Sequence, residues 1–190
     1  MARPKSDDKR DLILAAAVRV FAERGLAAPT SAITKAAGVA EGTLFTYFRT
    51  KDDLLNTLYR EIKLHLAGVL MSDFARRKDV RSKLEHIWEC YVNWGLRHPT
   101  HRQVLSMLAV SGVLTEETKA VGMAPFAEIQ VMARDAAAQG VIRDIPLEFV
   151  AASMEKLAEA TMEFIAHHPS QAAEFRKSGF EMLWNGIRKI

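Results

Sequence analysis

Four side chains that can donate hydrogen bonds to an anion lie close together between residues 43 and 51. They are the hydroxyl groups of Thr43, Thr46 and Tyr47 and the ammonium group of Lys51. Gly42 directly precedes them, and a glycine leaves the backbone bare, so that a partner can approach it closely. Hydroxyl and ammonium groups bind phosphate oxygens and base edges. The cluster therefore indicates recognition of a nucleic acid.

Patterns for catalysis or for metal binding are weaker. A di-iron centre in a helical bundle needs Glu-x-x-His pairs on two helices. The chain offers Glu61–His65 and Glu163–His167, and both pairs are one residue too long. We interpret His167-His168 before Pro169 as a helix end, and the chain has no glycine-rich phosphate loop or nucleophile motif. We therefore expect no enzyme, no cofactor and no metal site, with an enzyme and a protein-binding helical adaptor as the rival classes.

Two short predicted helices position the cluster. The first follows Pro29, has Thr30 or Ser31 as its N-cap, and ends at Gly38, which supplies the positive φ of a tight turn. The second spans about residues 40–48. The apolar side chains that fix the angle between them are Ile33, Val39 and Leu44. In a helix-turn-helix, the first helix braces against the phosphates and the second enters the major groove of DNA.

Apolar residues recur at three- and four-residue steps along the chain, and no segment alternates as a strand does. This pattern predicts an all-α fold of about nine helices. The first runs from about Asp7 or Asp8 to Gly25, and the fourth starts after Thr50, with Asp53 as its capping-box partner. The next predicted helix carries Leu84 to Trp94 and is ended by His98-Pro99, and another covers Thr100–Val110. A helix over Thr115–Gln139 is kinked or split by Pro125. Ile145-Pro146 opens the penultimate helix, and the last helix follows His168-Pro169-Ser170.

The composition narrows the class of protein. Of the 190 residues, 49% are hydrophobic and 26% are charged, which excludes a disordered chain. The longest apolar run, Leu12–Val18, is too short to span a bilayer, and the acidic residues before it do not fit a signal peptide. The single cysteine, Cys90, cannot form an internal disulfide. We therefore expect a cytoplasmic protein.

The net charge of +3 is unevenly distributed. Residues 1–51 hold nine Lys or Arg and five acidic residues, which gives a net charge of +4. The other residues hold 17 Lys or Arg and 18 acidic residues, which gives a net charge of −1. Such asymmetry favours a basic segment that meets a polyanion, joined to a segment that does not. We expect a helix-turn-helix domain over residues 1–50 and a second helical domain over residues 51–190.

A longer string makes this interpretation specific. Residues 36–55 read Ala-Ala-Gly-Val-Ala-Glu-Gly-Thr-Leu-Phe-Thr-Tyr-Phe-Arg-Thr-Lys-Asp-Asp-Leu-Leu, and the preceding helix carries Ile13-Leu14, Ala16-Ala17, Phe21 and Gly25. Both closely resemble the DNA-binding domain of TetR-family transcriptional regulators, over about residues 9–58. The resemblance implies a three-helix DNA-binding domain followed by a helical bundle that binds a small effector and dimerises.

The resemblance also implies DNA contacts at Thr30, Ser31, Glu41, Gly42, Thr43, Phe45, Thr46, Tyr47 and Lys51. Three positions depart from the family's pattern. Ala40 replaces a serine that could cap the helix, and Phe45 replaces a tyrosine and so loses a hydroxyl contact to phosphate. Glu41 puts an acid at the groove, where it accepts a hydrogen bond from a cytosine amino group or faces solvent. An N-terminal arm with Arg3, Lys5, Lys9 and Arg10 either reaches the DNA or is an ordinary disordered tail.

In the second domain the resemblance implies an effector pocket and a dimer interface. The many aromatic and methionine side chains there suit apolar ligands, although such side chains are more often plain core. The predicted pocket lining is Trp88, Tyr91, Asn93, Met107, Phe126, Ile129, Met132, Met154 and Thr161. The last two helices are predicted to pair with those of a second copy through Met162, Ile165, Phe180, Leu183, Trp184 and Ile187.

Together these features predict a sequence-specific regulator of transcription. We expect a homodimer that binds a palindromic DNA operator as a repressor and is released from it by a small, apolar effector. An activator, or a regulator of the same fold that needs no ligand, stays the alternative. We expect the effector to tilt the fourth helix and so to change the spacing of the two DNA-binding domains.

Overall fold

The structure, a computed structural model, describes the backbone of residues 5–189 and the side chains of residues 8–189. This part of the chain forms ten α-helices, and its only extended pairing is an isolated antiparallel bridge between Ile142 and Arg188. The all-α prediction is confirmed. The helices are α1 (Lys5–Arg24), α2 (Thr30–Ala37), α3 (Glu41–Tyr47), α4 (Lys51–Met71), α5 (Val80–Arg97), α6 (Pro99–Val110), α7 (Glu116–Met123), α8 (Ala127–Ala138), α9 (Leu147–His167) and α10 (Ala172–Ile187).

Proline and glycine set several of the helix boundaries. Pro125 lies in a 3₁₀ turn, Ala124–Phe126, that separates α7 from α8, so the predicted split of a single long helix is confirmed. Gly25 and Gly38, which follow α1 and α2, have φ angles of 75° and 68°, as predicted for glycines that end helices. No helix among the described residues is long and apolar enough to cross a membrane.

The predicted N-caps have mixed outcomes. The prediction for α2 is wrong, because Pro29 occupies the N-cap and Thr30 is already helical, with no side-chain hydrogen bond to the free amides. At α4 the Thr50 hydroxyl accepts a hydrogen bond from the Asp53 N–H at 3.0 Å, as predicted. The Asp53 carboxylate accepts from the Arg49 N–H at 2.9 Å, one residue before the position that a standard capping box uses.

The first compact unit comprises Met1–Leu64 and His98–Met123. Its core buries Ile13, Phe21, Ile33 and Leu44 completely. The helix α6 belongs to this unit because its residues Val104 and Leu108 are fully buried and Gln103 donates a hydrogen bond to the Ala22 carbonyl of α1 at 3.0 Å. The unit therefore extends past residue 50, and the domain boundary at that residue stays a prediction.

The second compact unit comprises His65–Arg97 and Ala124–Ile190. Trp88 of α5 lies at its centre, fully buried, and its indole N–H donates to the Arg176 carbonyl of α10 at 2.9 Å. A β-carbon built on Gly179 of α10 would lie 2.5 Å from the Trp88 ring and 2.5 Å from the Thr161 hydroxyl of α9. The close packing of α5, α9 and α10 at this point requires glycine at position 179.

Charged groups support the start of α5. The Asp79 carboxylate accepts a hydrogen bond from the Ser82 N–H at 2.9 Å, and this bond lowers the pKa of Asp79 below its ordinary value. Arg81 of α5 forms a salt bridge with Glu181 of α10, and Arg176 of α10 forms one with Glu89 of α5 at 3.4 Å. These contacts stabilise α5 against α10 around the buried Trp88.

Gly179→Ala should destabilise the protein by about 1–3 kcal/mol, because the new methyl group would push against a buried ring that has no room to move. Chemical unfolding followed by circular dichroism measures this change in the free energy of unfolding. Gly186→Ala is the matched control in the same helix, since a β-carbon there meets nothing within 4 Å. The control should be neutral or stabilising by up to about 1 kcal/mol, and equal free energies for the two variants would contradict the packing argument.

Candidate DNA interface and ligand cleft

The turn between α2 and α3 is built around Gly38. Its φ of 68° and ψ of 31° lie in the left-handed region that glycine adopts without steric cost. The Gly38 N–H donates to the Lys35 carbonyl at 3.3 Å, and the Val39 N–H donates to the Thr34 carbonyl at 3.1 Å. This pair of bonds is a Schellman motif, which satisfies carbonyls that the end of α2 would otherwise leave free.

One side of the helix α3 is buried, and the other side is exposed to solvent. Leu44 is fully buried, whereas Glu41, Gly42 and Thr46 are exposed and Phe45 is 46% exposed. Thr43 and Tyr47, which were predicted to contact DNA, are half-buried. An aromatic side chain exposed to this extent on a short helix is available to a partner surface. The structure therefore places the predicted reading residues on or beside one accessible face.

The Thr46 hydroxyl donates a hydrogen bond to the Gly42 carbonyl of its own helix at 3.2 Å. Its donor is thus used inside α3, and its remaining lone pairs can accept from a base amino group. The sequence predicted that this hydroxyl contacts phosphates or base edges, but it did not show that the donor is used within the helix. The Glu41 side chain is exposed in the structure, so it stands in water in the absence of DNA.

Lys51 lies in the first turn of α4, beside the helix-turn-helix. Its Nζ is 5.9 Å from the centroid of the Phe21 ring, a cation–π contact that orients the ammonium group. At the start of α2, Ser31 is exposed and Thr30 is half-buried. Lys51, Thr30 and Ser31 thus retain the accessibility that the predicted phosphate contacts need.

The predicted free basic arm is wrong from Lys5 onward, because Lys5, Lys9 and Arg10 all lie within α1. Arg10 forms a 2.6 Å salt bridge with Glu61 of α4. Lys9 is exposed, whereas Arg3 and the side chain of Lys5 lie outside the described residues. The cause of the difference at Arg10 is the carboxylate of Glu61, which packing brings across from a position 51 residues away.

A buried polar side chain that sequence reasoning missed lies near the start of α4. Asn56 donates to the carbonyls of Asp52 at 2.8 Å and Val113 at 3.1 Å, and its amide oxygen accepts from the Thr115 N–H at 3.0 Å. Its whole amide group is thereby satisfied, and the segment between α6 and α7 is tied to α4. The available signal was an Asn-Thr pair inside the apolar run from Leu54 to Leu58.

A second set of polar contacts holds α7 against α4. Arg60 donates to the Thr118 hydroxyl at 3.3 Å and to the Thr57 hydroxyl at 3.0 Å. A β-carbon on Gly122 of α7 would lie 2.6 Å from the Tyr59 ring, so the two helices approach closely. The helix that carries Lys51 is therefore fixed to α7 as well as to the helix-turn-helix.

Five of the nine residues predicted to line an effector pocket are buried. They are Trp88, Tyr91, Phe126, Met132 and Thr161. The others, Asn93, Met107, Ile129 and Met154, are half-buried. A cleft of about 460 Å³ lies elsewhere in the second unit, and Met132 is the one predicted residue that lines it. The lining of this cleft is Phe74, Val80, Lys83, Ala127, Glu128, Val131, Met132, Asp135, Ala136 and Gln139.

The residues predicted to form the dimer interface are mostly core residues of a single chain. Met162, Ile165, Phe180, Leu183 and Ile187 are all less than 9% exposed, and Trp184 is half-buried. Both helices carry apolar side chains on more than one face, and periodicity alone does not say which face meets a partner. The exposed apolar side chains of α9 and α10 are Phe149, Phe164 and Met182. Which surface pairs with a second copy stays a prediction.

The groups considered for catalysis are dispersed. Among the described residues, no three His, Cys, Asp or Glu side chains are grouped so as to hold a metal ion. The Cys90 sulfur lies 3.6 Å from His86 Nε2. Burial raises the pKa of the Cys90 thiol above its ordinary value. A protonated, half-buried thiol is a poor nucleophile at neutral pH.

Comparison with known proteins identifies the N-terminal region. Residues 13–58 match the model of the bacterial regulatory proteins of the tetR family. The fatty acid metabolism regulator protein of Bacillus subtilis (strain 168) is 37% identical over 73 residues, which span 38% of each protein. The chain thus matches little more than a third of the length of that curated relative.

Solved structures agree over nearly the whole chain. A TetR family transcription regulator from Marinobacter aquaeolei VT8 has a TM-score of 0.86 and 23% identity, and the match covers 97% of both chains. The regulator FadR from Bacillus subtilis, in complex with stearoyl-CoA, has a TM-score of 0.71 and 20% identity, covering 94% of this chain and 100% of that one. At these identities the likeness shows the fold.

The fold and the exposed face of α3 are those of a helix-turn-helix domain followed by a helical bundle. The match over α1 to α4 is specific, and the shared fold extends through the helical bundle. The N-terminal region thus matches the tetR family model, and the described chain has the fold of the solved TetR family regulators.

Asn56→Leu should lower the free energy of unfolding by about 2 kcal/mol, because it leaves the Val113 carbonyl and the Thr115 N–H without their partner in a part-buried setting. Urea unfolding of the full chain measures the loss. Asn185→Leu, at an exposed position of α10, is the control and should change the value little. A loss no larger than that of the control would show that the Asn56 contacts contribute nothing net to stability.

Proposed function

We propose that this regulator is a repressor that binds a palindromic operator as a homodimer and leaves it when a small effector with an apolar body binds. The observation that carries the DNA-binding part is the face of α3, where Gly42, Phe45 and Thr46 are exposed on a helix whose other side is fully buried at Leu44. The segment that matches the family model contains all of these positions.

In this proposal, α3 enters the major groove and contacts base edges through Thr43 and Thr46, while Phe45 packs against a thymine methyl group. Thr30, Ser31, Tyr47 and Lys51 bind phosphates on either side. The Gly42 backbone approaches the DNA, and Glu41 accepts a hydrogen bond from a cytosine or stays in water. Base contacts would set the sequence preference and phosphate contacts would set the register.

Pairing of α9 and α10 with their counterparts in a second copy would supply the dimer. The exposed apolar side chains Phe164 and Met182 support this, with exposed fractions of 55% and 67%. Phe164 also packs beside Phe175, with tilted rings whose centroids are 5.4 Å apart, which provides an aromatic patch next to the end of α9. A two-fold dimer places two α3 helices about one DNA turn apart, roughly 34 Å, which requires a palindromic operator.

An effector with an apolar body is supported by two observations. The cleft beside α8 exposes Val131, and the fold is shared with a regulator that was crystallised with stearoyl-CoA. Release would follow from a difference in effector affinity between the DNA-bound and the free conformation, typically ~1–3 kcal/mol for coupled sites. The helix α4 runs through residue 64 of the first unit into the second, so a tilt of α4 would change the spacing of the two α3 helices.

An activator, or a regulator without a ligand, is the alternative within the same fold. Selection of binding sites from random DNA, followed by footprinting, tests the proposal directly. We expect one palindrome with two protected half-sites. A single unpaired half-site, or binding without any sequence preference, would contradict it. Transcription in vitro from a promoter that carries the selected site then separates repression from activation.

Lys51→Gln should weaken operator binding and should reduce the slope of log affinity against log salt by about one for each protomer, because each lysine on a phosphate releases about one counterion. Fluorescence anisotropy at several salt concentrations measures both quantities. Lys78→Gln is the matched control, since Lys78 is exposed and lies in the loop between α4 and α5. An unchanged slope for Lys51→Gln would remove this lysine from the interface.

A further inference from the structure

The cleft in the second unit runs along one face of α8. Residues 128, 131, 132, 135 and 136 line it, and this spacing of three and four places them on the same side of the helix. The opposite wall is formed by the start of α5 and by the 3₁₀ turn that contains Phe74. Its volume of about 460 Å³ is that of a site for a small organic molecule.

The floor of the cleft is apolar. Phe74, Met132 and Ala136 are buried there, whereas Val131, which also lines the cleft, is 48% exposed. Covering a half-exposed aliphatic side chain in an apolar cleft with a ligand is favourable, because it removes apolar surface from water. The cleft therefore favours a ligand with an apolar body.

The charges on the lining select the sign of the ligand. Glu128 and Asp135 are exposed, stand two helical turns apart on α8, and form no salt bridge with any described residue. The Lys83 ammonium lies 5.1 Å from the centroid of the Phe74 ring and so is held against the floor. Two carboxylates against one ammonium leave the lining with a net negative charge. A cationic head group would find a free carboxylate at either end of the apolar floor, whereas an anionic one would find only the Lys83 ammonium against two carboxylates.

We infer that this cleft binds an organic cation with an apolar body and that this cation is the effector. The first part stands on the cleft alone, and the second part rests on the proposed function. The helix α8 follows α7 in the chain after a single 3₁₀ turn, and α7 is tied to α4 by Arg60 and by the close approach of Gly122. A ligand that moves α8 therefore acts on a helix that follows α7 in the chain, and α7 is the helix that holds α4.

The test uses two probes with the same apolar tail and opposite heads, decyltrimethylammonium and decanoate, both kept below the concentration at which they form micelles. Isothermal titration calorimetry of the full chain without DNA measures their affinities at equal ionic strength. The cation should bind at least tenfold more tightly than the anion. The double variant Glu128→Gln with Asp135→Asn should lose at least tenfold in affinity for the cation. The control Glu163→Gln, an exposed carboxylate of α9, should bind the cation as the unmodified chain does.

Equal or tighter binding of decanoate would overturn the inference. So would a cation affinity that the double variant leaves unchanged, since both substituted side chains are exposed and the fold, checked by circular dichroism, should be retained. A separate measurement distinguishes the two proposals. If the cation binds in the cleft but leaves the affinity for the selected operator unchanged, the site stands and its role as effector site is overturned. If another compound releases the operator while the cation does not bind, the proposed function stands and the cleft inference fails.

Discussion

The left-handed turn at Gly38 is the constraint on which the candidate DNA interface depends. Two backbone hydrogen bonds close the end of α2 there, and they form because residue 38 adopts a positive φ without strain. The chain passes through this turn from α2 to α3, and Ile33 of α2 and Leu44 of α3 are both fully buried. Once Leu44 is buried, the period of the helix exposes Phe45 and Thr46. A local backbone conformation thus decides which side chains of α3 can reach a partner.

The position of α3 would mean little if α4 were free to swing. Asn56 ties α4 to the segment before α7 within the first unit, because its amide group bonds to two backbone groups of that segment. Such a bond is directional, and a displaced backbone group would lose its partner in a part-buried setting. An apolar contact at the same place would tolerate sliding. The polar character of Asn56 therefore supplies orientation rather than stability alone, which suits a helix that carries Lys51 at its first turn.

The helices and the exposed face of α3 could be predicted from the sequence, because both follow from local periodicity and from the positions of glycine and proline. The pairing of elements could not be predicted in the same way. A stripe of apolar residues on α5, α9 or α10 indicates burial, but not whether the cover is another helix, a ligand or a second copy. Trp88 is the clearest example, since it packs against Gly179, which lies 91 positions further along the chain, and its role as a pocket residue stays a prediction. Arg10 is a similar case, because its partner Glu61 lies too far along the sequence for a local pattern to indicate the salt bridge.

The filled junction around Trp88 also bears on where a ligand can act. With no room for a methyl group at position 179, a ligand at the junction of α5, α9 and α10 would have to separate helices that two salt bridges and the Trp88 hydrogen bond hold together. A cleft that already exists beside α8 needs no such separation, and a preformed site keeps more of its interaction energy as affinity. The packing of the core thus favours the cleft beside α8 as the proposed site, where the exposed side chains of Glu128 and Asp135 would select a cation.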